Sequence, residues 1–195
     1  MARRVFFSFH YERDYWRVNV VRNSWVTKPN SEVAGFIDAA DFEKIQRQGD
    51  LAVKRWINEN LEGTSVTAVL IGTETYKRRW VRYEIIKSFD KRNGLLGIYI
   101  HKIKDKYGKT DWIGKNPFEY VGVYIDKDGK AVYCEKKNGE WVKFKDYPDC
   151  SLTFNKNYWT GKIYTFKHKT YDWIDDDGYN NIGKWIEEAA KQVGR

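Results

Sequence analysis

Ser65-Val66-Thr67-Ala68-Val69-Leu70-Ile71-Gly72 is the stretch on which the fold turns. Every residue from Val66 to Ile71 is apolar or β-branched, and a glycine closes the run. That is how an interior strand of a parallel sheet reads, buried on both faces. Upstream lies a helix pattern in which Asp50 supplies the cap, Val53, Trp56, Ile57 and Leu61 share one face, and Gly63 marks the end. Downstream, a helix from Arg79 to about Lys91 carries Val81, Ile85 and Phe89 at four-residue steps, and Asn93-Gly94 ends it before the strand Leu95–Ile100. Near the N-terminus, Val5-Phe6-Phe7-Ser8-Phe9-His10 reads as a buried strand. A helix from about Asp14 follows, with Val18, Val21 and Trp25 inward, and Pro29-Asn30 breaks it. Gly35-Phe36-Ile37-Asp38 reads as a second short strand.

Strands and helices alternating through short connections imply right-handed crossovers and a parallel sheet covered on both sides. The expected fold class is α/β, a flavodoxin-like three-layer sandwich with a parallel central sheet. Ligands of such sheets bind beyond the carboxyl ends of the strands, which points to Ser8–His10, Asp38–Ala40, Gly72–Thr75 and His101. The texture changes after His101. Asp128-Gly129 and Asn138-Gly139 are hairpin signals separating Tyr120–Ile125, Ala131–Glu135 and Trp141–Lys145. The expectation is one domain over 1–195, with an antiparallel, β-rich insertion over 102–170 and a C-terminal helix from about Tyr179 to Val193 that packs back on the sheet.

Composition narrows the partner. The 195 residues carry a net charge of +8, and 17% are aromatic. A partner with phosphates and flat rings fits both features, whether a nucleic acid or a nucleotide. The charge is unevenly built: residues 1–101 hold eleven Arg and six Lys, whereas all fifteen bases of 102–170 are Lys. Arginine's planar fork suits specific anion recognition, so anion contacts are expected in the first half and the later lysines read as solubility. The longest apolar runs fall far short of the roughly 20 residues of a membrane span. The start of the chain does not read as a signal peptide, so a cytoplasmic protein is expected. Cys134 and Cys150 make no disulfide framework, and His10, His101 and His168 have no metal-ligand spacing.

Familiar nucleotide motifs are absent. Gly108-Lys109-Thr110 lacks the upstream glycine of a phosphate loop, since that position holds Ile103. What remains is Trp80-Val81-Arg82-Tyr83-Glu84, preceded by Lys77-Arg78-Arg79. The four-residue spacing puts Trp80 and Glu84 on one helix face, and the bases sit near a helix N-terminus, where anions are favoured. The spacing also allows a plainer reading: a surface Glu84 paired with Lys87 or Arg82, and Trp80 as core.

The order F-F-S-F at Phe6–Phe9, G-F-I-D at Gly35–Asp38, S-V-T-A-V-L-I-G at Ser65–Gly72 and W-V-R-Y-E at Trp80–Glu84 resembles a TIR domain. It is similar, more narrowly, to the MTH538-type TIR-like family, which includes the TIR proteins of bacterial Thoeris anti-phage systems. The likeness continues through Asn116-Pro117-Phe118, Tyr171-Asp172-Trp173 and Asp176-Asp177-Gly178-Tyr179-Asn180. This resemblance implies a flavodoxin-like fold and cleavage of NAD+ at the nicotinamide–ribose bond. It implies Glu84 as the catalytic glutamate and Trp80 as its companion. Phe7, Ser8, Phe9 and His10 at the first strand end, Asp38, Gly72 and Thr73 would form the substrate pocket, and Arg78 or Arg79 would meet the pyrophosphate. NAD+ is then the substrate and no cofactor or metal is implied. The other implied links are self-association through TIR contacts, a phage-derived trigger, and a cyclic ADP-ribose isomer that activates an NAD-depleting effector. The alternative is a non-catalytic TIR scaffold that signals by self-assembly, and a nucleic-acid partner ranks below both.

Overall fold

The computed structural model describes residues 3–29, 31–37, 39–147, 150–152, 154 and 161–195. In chain order the first half comprises β1 (Arg3–Ser8), α1 (Tyr15–Val26), β2 (Ser31–Ala34), α2 (Ala39–Arg47), α3 (Asp50–Leu61), β3 (Val66–Ile71), α4 (Arg79–Asp90) and β4 (Gly94–Tyr99). The second half adds β5 (Val121–Ile125), β6 (Ala131–Lys137), β7 (Glu140–Lys143), β8 (Lys162–Thr165), β9 (Thr170–Asp172) and α5 (Gly178–Gln192). Short 3-10 turns at Thr75–Lys77 and Pro117–Tyr120 precede α4 and β5.

β3 is the middle strand of a five-stranded sheet in the order β2-β1-β3-β4-β9, and each pairing is parallel. Every residue of β3 is buried, as its unbroken apolar run requires. The register sets Phe6 beside Thr67 and Ser8 beside Val69. These side chains face α4, because Thr67 Oγ1 lies 2.7 Å from Ser88 Oγ on that helix. Alternation sends Val5 and Phe7 to the opposite face. There Gly94 leaves room for α5: a Cβ on it would stand 2.3 Å from the Ala189 carbonyl oxygen. The sandwich thus has α1 and α5 on one side and α3 and α4 on the other, consistent with the flavodoxin-like expectation.

The segment between β4 and β9 builds a second, antiparallel sheet in the order β7-β6-β5-β8. It packs on the outer side of α4, where Phe166 stacks on Phe89 at 4.1 Å and Tyr133 donates to Asp90 at 2.6 Å. Val121, Val123, Ile125, Tyr133 and Phe144 join the same buried cluster as the parallel sheet.

Several expectations need correction. The second strand is Ser31–Ala34 rather than Gly35–Asp38. Gly35 ends it with φ of +71°, and any Cβ there would collide with the Phe6 ring. Asp50 does not cap α3; Gly49 holds that position, with no side-chain cap. Helix α2, strand β8 and the fifth parallel strand β9 were not anticipated. Among the described residues, no helix is long and apolar enough to cross a membrane.

Candidate active site

Glu84 sits in the second turn of α4, on the face that meets the end of β1, and its solvent exposure is zero. Ser8, the last residue of β1, donates its hydroxyl to Glu84 Oε2 at 2.5 Å. Beyond it the chain turns at Phe9–Tyr11, and Tyr11 Oη lies 3.4 Å from Glu84 Oε1 and 3.2 Å from the Gly35 carbonyl oxygen. Neither partner is a cation. Burial therefore dominates and pushes the Glu84 carboxyl up to about 8, although the Ser8 and Tyr11 hydroxyls pull it the other way. At neutral pH Glu84 is largely a protonated acid. Burial and the nearby Glu84 also hold the Tyr11 phenol well above its ordinary value.

This geometry overturns the plainer reading of Glu84. Arg82 donates instead to Glu135 at 2.7 Å, and Lys87 donates to the Tyr147 hydroxyl at 3.2 Å. Trp80 is half-buried and packs against the margin of the core, edge-on to Tyr83 at 6.0 Å.

A cleft of about 150 Å³ opens beside Tyr11, walled by Phe9, His10, Phe42, Arg78, Arg79 and Trp80. Its aromatic side is cohesive: Tyr11 stacks on Phe42 at 4.0 Å and lies tilted against Phe9 at 4.2 Å, with the Trp56 edge at 5.9 Å. Ligand pockets usually measure about 300–1,000 Å³, so this cleft holds a single ring and not a dinucleotide. His10 is buried, and neither ring nitrogen has a hydrogen-bond partner among the described residues. Burial, reinforced by Arg78, lowers it to about 4 and leaves it neutral, although Glu12 Oε2 stands 3.7 Å away. Arg78 has no ion pair within 4 Å among the described residues, and its Nε lacks a partner. It is the cation available to an anion here.

The other expected residues lie elsewhere. Phe7 is fully buried and faces away from Glu84, on the α1 and α5 side of the sheet. Arg79 borders the cleft, but its guanidinium is gripped by Asp146 at 2.5 and 2.6 Å and by Asp50 at 2.6 Å. Its charge is already answered. Gly72 and Thr73 stand at the exit of β3, which is closed: a Cβ on Gly72 would lie 2.2 Å from Asp14 Oδ2, and one on Gly114 would lie 2.0 Å from the Gly72 carbonyl oxygen. Thr73 donates to the Trp112 carbonyl oxygen over the same spot. Asp38 lies outside the described residues. Two site residues escaped the sequence reading, Tyr11 and Phe42. Tyr11 sits in a turn with no periodicity to flag it, and Phe42 belongs to the unanticipated helix α2.

A parallel α/β sandwich whose W-x-x-x-E glutamate lies under the exit of the first strand defines a TIR-like domain. The sequence matches the family model for the Thoeris protein ThsB, TIR-like domain, over residues 6–105. A curated relative from Bacillus cereus (strain MSX-D12), named "Putative cyclic ADP-D-ribose synthase ThsB1", is 47% identical over 191 residues, which cover 95% of this chain and 100% of the relative. The chain belongs to the ThsB TIR-like family.

Proposed function

We propose that this protein cleaves NAD+ at the nicotinamide–ribose bond and closes the remaining ADP-ribose into a cyclic isomer, a second messenger of Thoeris anti-phage defence. The observation that carries the reading is Glu84: a buried carboxyl, raised to about 8, bonded to Ser8 and linked through Tyr11 to an aromatic cleft edged by Arg78. The name of the Bacillus cereus relative supports the same activity.

The chemistry needs one carboxylate. Glycosidases generally use two, one of them to protonate a poor leaving group. Nicotinamide in NAD+ is already a pyridinium, so it takes the bonding electron pair and leaves as a neutral amide without an acid. The positive charge passes to the ribose. As the cationic substrate enters, it favours ionisation of Glu84, and the carboxylate then holds ribose hydroxyls and stabilises the oxocarbenium-like transition state. Phe9 and Trp80 supply ring faces for nicotinamide, and Arg78 meets the pyrophosphate. A hydroxyl of the same ADP-ribose captures the cation and releases its proton, which closes the ring. Tyr11 and Phe42 must move aside first, because Glu84 is fully covered and the cleft is small. Self-association through TIR contacts, set off by a phage-derived trigger, is the step that opens it.

Incubation of concentrated protein, purified from phage-infected cells, with NAD+ followed by chromatography tests the reading. Nicotinamide and a cyclised ADP-ribose are expected in equal amounts. Linear ADP-ribose alone reduces the reading to hydrolysis. Lack of turnover by concentrated, assembled protein overturns it and leaves the scaffold role.

A further inference from the structure

A second cleft, of about 480 Å³, lies on the other side of the turn that leads into α4. Its walls are Tyr76 and Lys77 from that turn, Arg82 from α4, Tyr120 from the turn before β5, and Lys136 and Lys137 from the β6–β7 hairpin. Its volume falls within the range of ordinary small-molecule pockets, about 300–1,000 Å³. The cleft beside Glu84 does not reach that range.

Its chemistry is twofold. Tyr76 and Tyr120 form an aromatic wall, with ring centroids 4.9 Å apart and planes tilted by 49°. Both are half-buried, so each keeps a solvent-facing side. Around them stand five cations: Lys77, Arg82, Lys136, Lys137 and Lys115, whose Nζ lies 5.7 Å from the Tyr76 ring centre. Two carboxylates answer them. Glu135 takes Arg82 and Lys137, each at 2.7 Å, and Glu74 takes Lys77 at 3.0 Å. The cleft therefore keeps a positive surplus next to two half-buried rings, with Lys77 and Lys115 each 5.7 Å from the Tyr76 ring centre and the Arg82 guanidinium 5.7 Å from that of Tyr120. Arg82 also donates twice to the Tyr76 carbonyl oxygen, at 3.2 and 3.1 Å, which fixes the aromatic wall to α4 and to β6. Three of the lysines belong to the stretch whose bases read from composition as mere solubility; the fold gathers them here. A phosphate alone needs no aromatic wall, and an apolar ligand needs no cations. A nucleotide uses both.

We propose that this cleft is a second binding site, separate from the Glu84 cleft, for a small phosphate-bearing nucleotide. The base stacks on Tyr76 and Tyr120, and the phosphates lie against Lys136, Lys137 and Lys115. The proposal does not depend on the NAD+ reaction.

Calorimetric titration of the full chain with ADP tests it, with adenosine and inorganic tripolyphosphate as the ring-only and charge-only probes. Saturable ADP binding is expected, stronger than that of either probe. Lys136→Glu/Lys137→Glu, on an exposed hairpin, is expected to weaken it roughly tenfold or more. Tyr120→Leu is expected to weaken it about fivefold or more, and Tyr120→Phe to restore it. Arg78→Ala, which removes the pyrophosphate partner of the other cleft, leaves it unchanged. Four results overturn the proposal: no saturable binding at millimolar ADP; ADP binding lost with Arg78→Ala but kept in the hairpin variant; tripolyphosphate binding as tightly as ADP and indifferent to Tyr120→Leu; or a single-stranded oligonucleotide preferred over ADP, which would make the surface a polymer site.

Discussion

The exits of β1 and β3 lie side by side on the carboxyl edge of the same sheet, and each carries a buried carboxyl. They differ in the loop that leaves the strand. After β1 a tight turn sets Tyr11 over Glu84 and leaves a cleft beside it, walled in part by Phe9. After β3 the backbone at Gly72 is pressed from one side by Asp14 and from the other by Gly114, and the 111–114 segment seals the exit. Burial raises both acids, Glu84 to about 8 and Asp14 to about 6. Arg17 and Arg13 pull Asp14 back towards its ordinary value, and no cation does so for Glu84. The carboxyl edge of a parallel sheet is thus a general invitation to a ligand. The loops decide which strand end accepts it.

This contrast can be broken or sharpened by substitution. The largest effect is expected from Glu84→Gln, which removes the one carboxylate at the open exit. Nicotinamide release is expected to fall about a hundred- to a thousandfold, while Asp14→Asn at the sealed exit stays within a few-fold of the parent. Arg78→Ala is next: KM for NAD+ rises roughly tenfold with a smaller change in kcat, since a charge-assisted phosphate contact is lost. Arg79→Ala, whose charge Asp146 and Asp50 already answer, leaves KM unchanged in the same steady-state assay.

Stability separates the exits further. Gly72→Ala forces a methyl against Asp14 and is expected to cost about 1–3 kcal/mol, which lowers Tm by about 2–4 °C for each kcal/mol. Calorimetric melting checks it, and an unchanged Tm means that the β3 exit is not closed as described. A further stability effect is a pH dependence. The native chain holds the Glu84 proton that the unfolded chain has released between its ordinary range and about 8, so this group's contribution to stability falls as pH rises through that window. Glu84→Gln removes the dependence. Its Tm is expected to exceed that of the parent at pH 8 and to match it near pH 4.

The sheet was legible in the sequence because its interior strands are continuous apolar runs and its helices repeat apolar residues every three or four positions. β1, β3, β4, α4 and the β5–β7 hairpins follow from that alone. β2 was misplaced because a four-residue edge strand carries little pattern, and Phe36-Ile37 next to it are as apolar as a strand. Those two residues pack as a loop, with Phe36 6.0 Å from Phe9 and the Arg22 guanidinium 4.3 Å above its ring. β9 is three residues long and exists through its pairing with β4. In the site, the W-x-x-x-E spacing read together with the TIR resemblance marked Glu84 and Trp80, and the strand-end rule marked Ser8–His10. Alternation along β1 separates Phe7 from Ser8, a distinction that a run of apolar residues does not display. The pairing of Arg79 with Asp146 spans 67 residues. No local pattern encodes it.

The covered, neutral Glu84 is tested most directly by a carbon-13 NMR titration of its side-chain carboxyl in the full chain, with the resonance identified by its absence from Glu84→Gln. A midpoint near 8 is the expected result. A midpoint among the ordinary glutamates, at about 4–5, would mean a solvated carboxylate and contradict the buried site at the exit of β1.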